Sequence, residues 1–353
     1  METQIKTIMT GDNAAVHLRI CAANGGRWWA LDFEGYLAAI YRWLLRPGMV
    51  AVDCGANLGI HTLQMARAVE PGGRVVAIEP IGELVGRLRE EMRESQMPEN
   101  LVRIVQCCVS SSSGTAEFYQ IDDPLQHGLS GLRKRQYASG IVAKPMVVDL
   151  RTLDDLCADL PRLDFLKLDI EGAEFDALRG ATSILRRFRP VMTVEQSQTD
   201  PEYFGYSWSQ FLGFLQEMEY ELYDFFGLAY TRAEQLQNCM VWDFVALPRE
   251  YGYRASLFAA VRDSMMAAGV KGLDADDPHA AVERGRAAAV EGCLVRRPGN
   301  DVEDHKVFFV EKGQKRWVTS AEWIVARGMN WPGDVRIIPA EELAALLEGP
   351  PLP

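Results

Sequence analysis

Short apolar runs alternate with longer amphipathic stretches along this chain, the pattern of strands and helices taken in turn. Val50, Ala51 and Val52 follow one another without a polar interruption, as in a parallel strand covered on both faces. A glycine-bearing turn comes next, and Leu58, Leu63, Ala66 and Val69 then form an apolar helical pattern. Residues 74–78 bring a second β-branched run, and Ile81, Leu84, Val85, Leu88 and Met92 mark one face of a helix over about 82–95. Residues 101–107 read as a third strand and 115–119 as a short one; 165–168 and 191–195 then supply the fourth and fifth core strands. Runs at 220–226 and 239–247 read as two final strands, close together in sequence. Five strands alternating with helices, closed by two nearly adjacent ones, predict an α/β fold: a doubly wound, Rossmann-like sheet of seven strands.

The flanks read differently. Val16, Leu18 and Ile20 alternate ahead of Asn24-Gly-Gly26, which predicts a hairpin, and Trp28 and Trp29 follow as candidate pocket lining or packing residues. Residues 34–45 read as a helix stopped by Arg46-Pro-Gly48. Residues 120–145 lack periodicity and carry Arg133-Lys-Arg135, a solvated charged face on a lid-like loop. The expected division is 1–45 (hairpin and helix), 46–250 (main domain), 251–290 (helical linker) and 291–353 (a small α+β module). In that module Val307 to Thr319 reads as a hairpin turning at Lys312-Gly313, with short helices near 320–327 and 340–348. Trp317, Trp323 and Trp331 would supply much of its core.

Chemistry concentrates at strand ends. Asp53 closes the first strand, and Gly55, Ala56, Asn57 and Gly59 form the turn before a helix that carries Thr62. Such a turn lets backbone approach a ligand closely and points a helix N-terminus at it. Glu79, followed by Pro80, ends the second strand, where an acid accepts hydrogen bonds from ribose hydroxyls. A dinucleotide cradle wants a bare glycine where Asn57 stands, and a carboxylate at Asp53 would repel a pyrophosphate. The same carboxylate suits the amino group of S-adenosylmethionine, directly or through water. Cys108 and Val109, just past the third strand, would flank a flat base. In Leu163-Asp-Phe-Leu-Lys-Leu-Asp-Ile-Glu-Gly-Ala-Glu174, strand periodicity sets Lys167, Asp169 and Glu171 on one side near the ligand-binding end. Glu195 closes the fifth strand in the same way.

These residues resemble the FkbM-type family of S-adenosylmethionine-dependent methyltransferases over about 46–247. The resemblance is carried by Asp53-Cys-Gly-Ala-Asn-Leu-Gly59 with Thr62, Glu79-Pro80, Thr152-Leu-Asp-Asp155, Lys167-Leu-Asp-Ile-Glu-Gly-Ala-Glu174, and Arg189-Pro190 with Glu195. It implies a class I methyltransferase fold, S-adenosylmethionine as cofactor with S-adenosylhomocysteine as product, and methylation of a hydroxyl on a sugar, glycan or polyketide-like natural product. Candidates for activating that hydroxyl are Asp169, Glu195, His61 and His127, with Lys167 and Glu171 alongside. A divalent metal on Asp169, Glu171 and Glu195 is the less favoured alternative, because Lys167 stands beside them. Two other classes share the cradle: an NAD-dependent oxidoreductase, which Asp53 and Asn57 oppose, and a non-catalytic adenosine-binding scaffold, which has no need of the Lys167 cluster.

Composition narrows the partners. A net charge of −12 and a pI of about 5.0 oppose nucleic acid or an anionic membrane as the main partner. Seven cysteines without C-x-x-C or zinc spacing read as reduced thiols of a cytoplasmic protein. No secretory signal or membrane-length apolar run is expected.

Overall fold

The computed structural model describes residues 12–26, 31–123, 126–135, 137, 141–237 and 239–273, and further on 294–296, 306–311, 314–327, 329, 335–337, 343, 347–348 and 352. Trp28, Trp29, Trp331 and the part of the expected helical linker beyond residue 273 lie outside the described residues. The chain divides into two compact units, Met1–Arg249 and Glu250–Pro353.

The first unit is built on β1 (Val50–Cys54), β2 (Arg74–Ile78), β3 (Val102–Val105), β4 (Cys108–Val109), β5 (Gly114–Ile121) and β6 (Ala143–Arg151). It continues with β7 (Phe165–Leu168), β8 (Val191–Glu195), β9 (Tyr220–Asp224), β10 (Ala229–Tyr230) and β11 (Asp243–Pro248). Its main sheet runs β3-β2-β1-β7-β8-β11-β9, with the two-residue β10 on the β9 edge. Strands β1, β2, β3, β7 and β8 pair in parallel, and β11 enters antiparallel between β8 and β9. Counting the seven long strands in chain order, this is 3-2-1-4-5-7-6, the class I methyltransferase topology. The apolar runs have their expected cause, since all five residues of β1 and all four of β7 are buried. Lys167 is the anomaly, only 2% exposed in the middle of the sheet.

Three expectations are corrected. The N-terminal hairpin is a helix, Asp12–Ala23. The residues it buries are His17, Ile20 and Cys21, at helical i, i+3, i+4 spacing, so the alternation of Val16, Leu18 and Ile20 is incidental. Gly25 and Gly26, at φ +82° and +72°, end that helix, with the Gly26 amide donating to the Cys21 carbonyl at 2.8 Å. Secondly, the stretch 120–145 is flanked by β5 and β6, which pair antiparallel over their whole length, Gly114 opposite Leu150 to Ile121 opposite Ala143. With β4 they make a separate three-stranded sheet. β6 escapes a sequence reading because it is largely exposed (Val147 is 75% exposed), so its faces do not alternate cleanly in polarity. Thirdly, the single helix expected after Glu174 is two, Glu174–Arg179 and Thr182–Phe188.

In the second unit, the helix Arg254–Ala267 is followed by five short strands: β12 (Leu294–Arg296), β13 (Phe308–Glu311), β14 (Gln314–Trp317), β15 (Val335–Ile337) and β16 (Leu347–Glu348). β13 and β14 form the expected antiparallel pair, and the helix Ala321–Ala326 falls where one was read. Leu347 and Glu348 instead pair in parallel with Gln314 and Lys315, where a helix was expected. Trp323 packs with Phe309, Ile324 and Leu352, whereas Trp317 is 39% exposed.

Candidate active site

The turn after β1 is fixed by its own backbone. Gly55 and Asn57 take φ +78° and +48°, and Gly59 starts the helix Ile60–Val69 at φ +84°. A Cβ on Gly55 would lie 1.8 Å from the Asp169 carbonyl oxygen, so this residue must be glycine on conformational and steric grounds alike. Gly55→Ala is therefore expected to cost about 2–4 kcal/mol, overpacking added to left-handed strain. A denaturant midpoint unchanged from wild type would contradict this.

Glu79 closes the turn from the side of β2. Its Oε2 accepts from the Asn57 amide and its Oε1 from the Ile81 amide, both at 2.9 Å. Each carboxylate oxygen retains a second lone pair toward the cavity. Burial pushes Glu79 up to about 7, against the opposing pull of those two amides.

Behind the turn lies a buried ionic row. Thr62 Oγ1 donates to Asp53 Oδ2 at 2.6 Å, and Lys167 Nζ lies 3.4 Å from Asp53 Oδ1 and 3.0 Å from Asp169 Oδ2. Lys167 also reaches the Gly55 carbonyl at 3.5 Å, and register explains the meeting, since Asp53 and Lys167 are partners across β1 and β7. Burial works against the lysine's charge, but Asp169 and Asp53 outweigh it and hold Lys167 protonated above its ordinary range.

A cavity of about 470 Å³ opens over these strand ends. Gly55, Ala56 and Asn57 line it, with Glu79 and Pro80 on one side and Cys108 and Val109 beyond them. His61, His127, Lys167, Asp169, Glu171 and Glu195 line it as well. Asp53, Thr62 and Gly59 stand behind the wall: the first two are engaged with each other, and Gly59 packs on Leu88. The volume is of the size that takes a drug-sized or cofactor-sized ligand.

The acids are held in distinct states. Carboxylate oxygens of Asp169, Glu171 and Glu195 lie within 4.8 Å of one another. Burial, then the charges of Asp169 and Glu171, raise Glu195 well above the usual carboxylate range. Burial opposes ionisation of Asp169 too, but Lys167 and a hydrogen bond from Glu195 prevail and lower it. Two adjacent carboxyl groups are thus driven apart, Glu195 upward and Asp169 downward. Glu171, at φ +58°, is pushed up to about 8 by burial despite its partner Arg135.

Several members of the site were not read as such from the sequence. Arg135 of the basic triplet is no solvated charge: it donates to Glu171 and to Asp200, each at 2.8 Å. Glu34, on the helix Phe33–Leu44, meets His61 Nε2 at 2.5 Å, while His61 Nδ1 lies 3.2 Å from the Tyr41 hydroxyl. With both ring nitrogens engaged, His61 has no lone pair free for an acceptor proton. Asp243 is paired with Glu195 across β11 and β8 and is pushed up to about 8 by burial and by Asp169. Glu174 is structural. It accepts from the Ile170 and Gly172 amides at 2.8 and 3.2 Å, which fixes the loop between β7 and the next helix.

The strand order is that of a class I, Rossmann-like methyltransferase fold. Residues 53–222 match the family model described as the methyltransferase FkbM domain, and the chain resembles that family over its main domain. The 2-O-methyltransferase NoeI of Sinorhizobium fredii is 26% identical over 166 residues, covering 44% of this chain and 66% of NoeI. Methyltransferase sdnD of Sordaria araneosa is 29% identical over 154 residues, covering 36% of this chain and 59% of sdnD. The chain thus spans less than two thirds of either relative. Among solved structures, the methyltransferase FkbM from Methylobacillus flagellatus is 17% identical with a TM-score of 0.37, covering 67% of this chain and 58% of that one. Among the described residues, no helix is long and apolar enough to cross a membrane.

Proposed function

We propose that the chain is an S-adenosylmethionine-dependent O-methyltransferase acting on a hydroxyl of a sugar, glycan or polyketide-like natural product. The observation that carries this reading is Glu79, buried at the end of β2 and held by two backbone amides with acceptor capacity left toward the cavity. The cavity's donor set fits the cofactor: Glu79 for the ribose hydroxyls, Cys108 and Val109 beside the base, and the Gly55–Asn57 turn with Asp169 for the amino-acid end. When bound, S-adenosylmethionine supplies a methyl group activated on a sulfonium. The protein's own task is to align the acceptor oxygen with that methyl and to keep water out.

Asp169, ionised beside Lys167, accepts the acceptor's hydroxyl proton in a hydrogen bond and so orients the oxygen lone pair. An alcohol oxygen that gains a carbon becomes strongly acidic, so even a carboxylate of lowered pKa takes the proton late in the reaction. A base of raised pKa is unnecessary for this late transfer. Glu195 stabilises the Asp169 carboxylate through its proton, and His61 serves to fix Glu34. His127, in a 3-10 turn over the cavity, is a wall residue in this reading.

Calorimetric titration with S-adenosylhomocysteine tests the cofactor assignment. Ribose hydroxyls donate to a carboxylate, so binding favours ionised Glu79. Affinity is expected to strengthen as pH rises through about 7 and to weaken below it. In Glu79→Gln this pH dependence should vanish and affinity fall about 10–100-fold, the loss of hydrogen bonds to a charged acceptor. Binding of NAD with no binding of S-adenosylhomocysteine would overturn the reading.

A further inference from the structure

A second cavity, of about 250 Å³, lies on the far side of the acid cluster. It shares Glu34, Lys167, Asp169 and Glu195 with the larger one, so the two chambers meet at the residues assigned above to the reacting oxygen. Its remaining wall includes Thr193 and Asp243 on the sheet and the aromatic pair Phe33 and Trp242, whose ring centroids are 5.1 Å apart. We propose that this second cavity is the acceptor site, and that it takes a hydroxylated acceptor bearing an ammonium group, such as an aminated monosaccharide. This rests on the methyltransferase reading above.

Three independent features point to that ligand. The first is Thr193, in the middle of β8. It is 4% exposed and its Oγ1 has no hydrogen-bond partner, a buried hydroxyl on the cavity wall that a polar ligand would satisfy. The second is charge. The wall carries Asp32, Glu34, Asp169, Glu195 and Asp243 against Lys167. Asp32 caps its own helix through the Gly35 amide, and Lys167 is already taken by Asp53 and Asp169. The acids around Asp243 are therefore undercompensated: burial and Asp169 hold Asp243 up to about 8, and burial with its neighbours' charges raises Glu195 as well. A cationic ligand group would relieve this, a neutral one would not, and an anionic one would be repelled. The third is the Phe33–Trp242 pair, whose faces suit the C–H edge of a sugar ring and attract a cation. The cavity lies below the ~300 Å³ at which drug-sized pockets begin, which matches a single ring.

The test titrates the full chain, saturated with S-adenosylhomocysteine, with glucosamine and separately with glucose near neutral pH. These sugars differ by an ammonium in place of one hydroxyl. Glucosamine is expected to bind at least about tenfold more tightly, as a charge-assisted contact would give. In Asp243→Asn the preference should fall to about twofold or less, and Thr193→Val should weaken both sugars by about fivefold, one hydrogen bond. S-adenosylhomocysteine affinity, unchanged in both variants, reports that they are folded; if Thr193→Val fails that control, Thr193→Ser is expected to bind both sugars like wild type. Equal binding of the two sugars, or a preference that survives Asp243→Asn, would overturn the acceptor assignment alone. A wild-type chain that does not bind S-adenosylhomocysteine would overturn the cofactor reading and this inference with it.

Discussion

Lys167→Met is expected to lower the unfolding free energy by about 3–5 kcal/mol, the cost of removing one partner from a buried ion pair. Methionine fills a similar volume, so cavity formation is a minor part of the loss. The main part is electrostatic. Asp53 is fully buried, its Oδ1 faces Lys167 without another hydrogen-bond partner, and the variant leaves that carboxylate uncompensated in the sheet. In the native chain Lys167 is held protonated above its ordinary range, so the stability it contributes is fully present below the unfolded lysine value and is lost only as pH rises beyond it. The double variant Asp53→Asn, Lys167→Met, which removes the uncompensated carboxylate, should recover part of the deficit. Denaturant unfolding reads both variants. A Lys167→Met deficit below about 1 kcal/mol, the range of a surface pair, would show that the row in the sheet is not the buried ion pair described.

The second large effect is on turnover. Asp169→Asn keeps the shape of the side chain and a hydrogen-bonding oxygen but removes the negative charge that takes the acceptor proton. Loss of a positioned proton acceptor is expected to reduce turnover by about 10²–10⁴-fold. Because Asp169 also lines the cofactor cavity, S-adenosylhomocysteine binding is measured in the same variant, with a change of less than about tenfold expected. Turnover retained with normal cofactor binding would remove Asp169 from acceptor activation, and Glu195 and Asp243 would be the next acids to replace. Loss of both together would assign Asp169 to the cofactor instead.

The expected pairs show why part of this site was legible and part was not. Asp53, Glu79, Asp169 and Glu195 could be named in advance because each stands at the end of an apolar run, and in an open parallel sheet strand ends are where ligands bind. Lys167 was visible because a charge inside such a run demands a partner. The N-terminal helix was misread because a few residues of alternation fit a strand as well as a helix, and only the burial of His17, Ile20 and Cys21 decides between them. β6 was missed because its inward residues Met146, Val148 and Leu150 face only a small apolar cluster, while the exposed Val147 on its outer face blurs the alternation.

By itself, the sequence determined the order of the main-sheet strands, the α/β class and the turn after β1, because these follow from local periodicity and backbone freedom. The tertiary structure alone decided which side chains share a volume. Antiparallel entry of β11 sets Asp243 opposite Glu195, the helix Phe33–Leu44 brings Glu34 onto His61, and the connection between β5 and β6 delivers Arg135 to Glu171 and Asp200. These meetings depend on register and chain direction between segments far apart in sequence. Their electrostatic consequences, a Glu195 raised beside an Asp169 lowered by Lys167, exist only in the folded chain, where these groups are brought together.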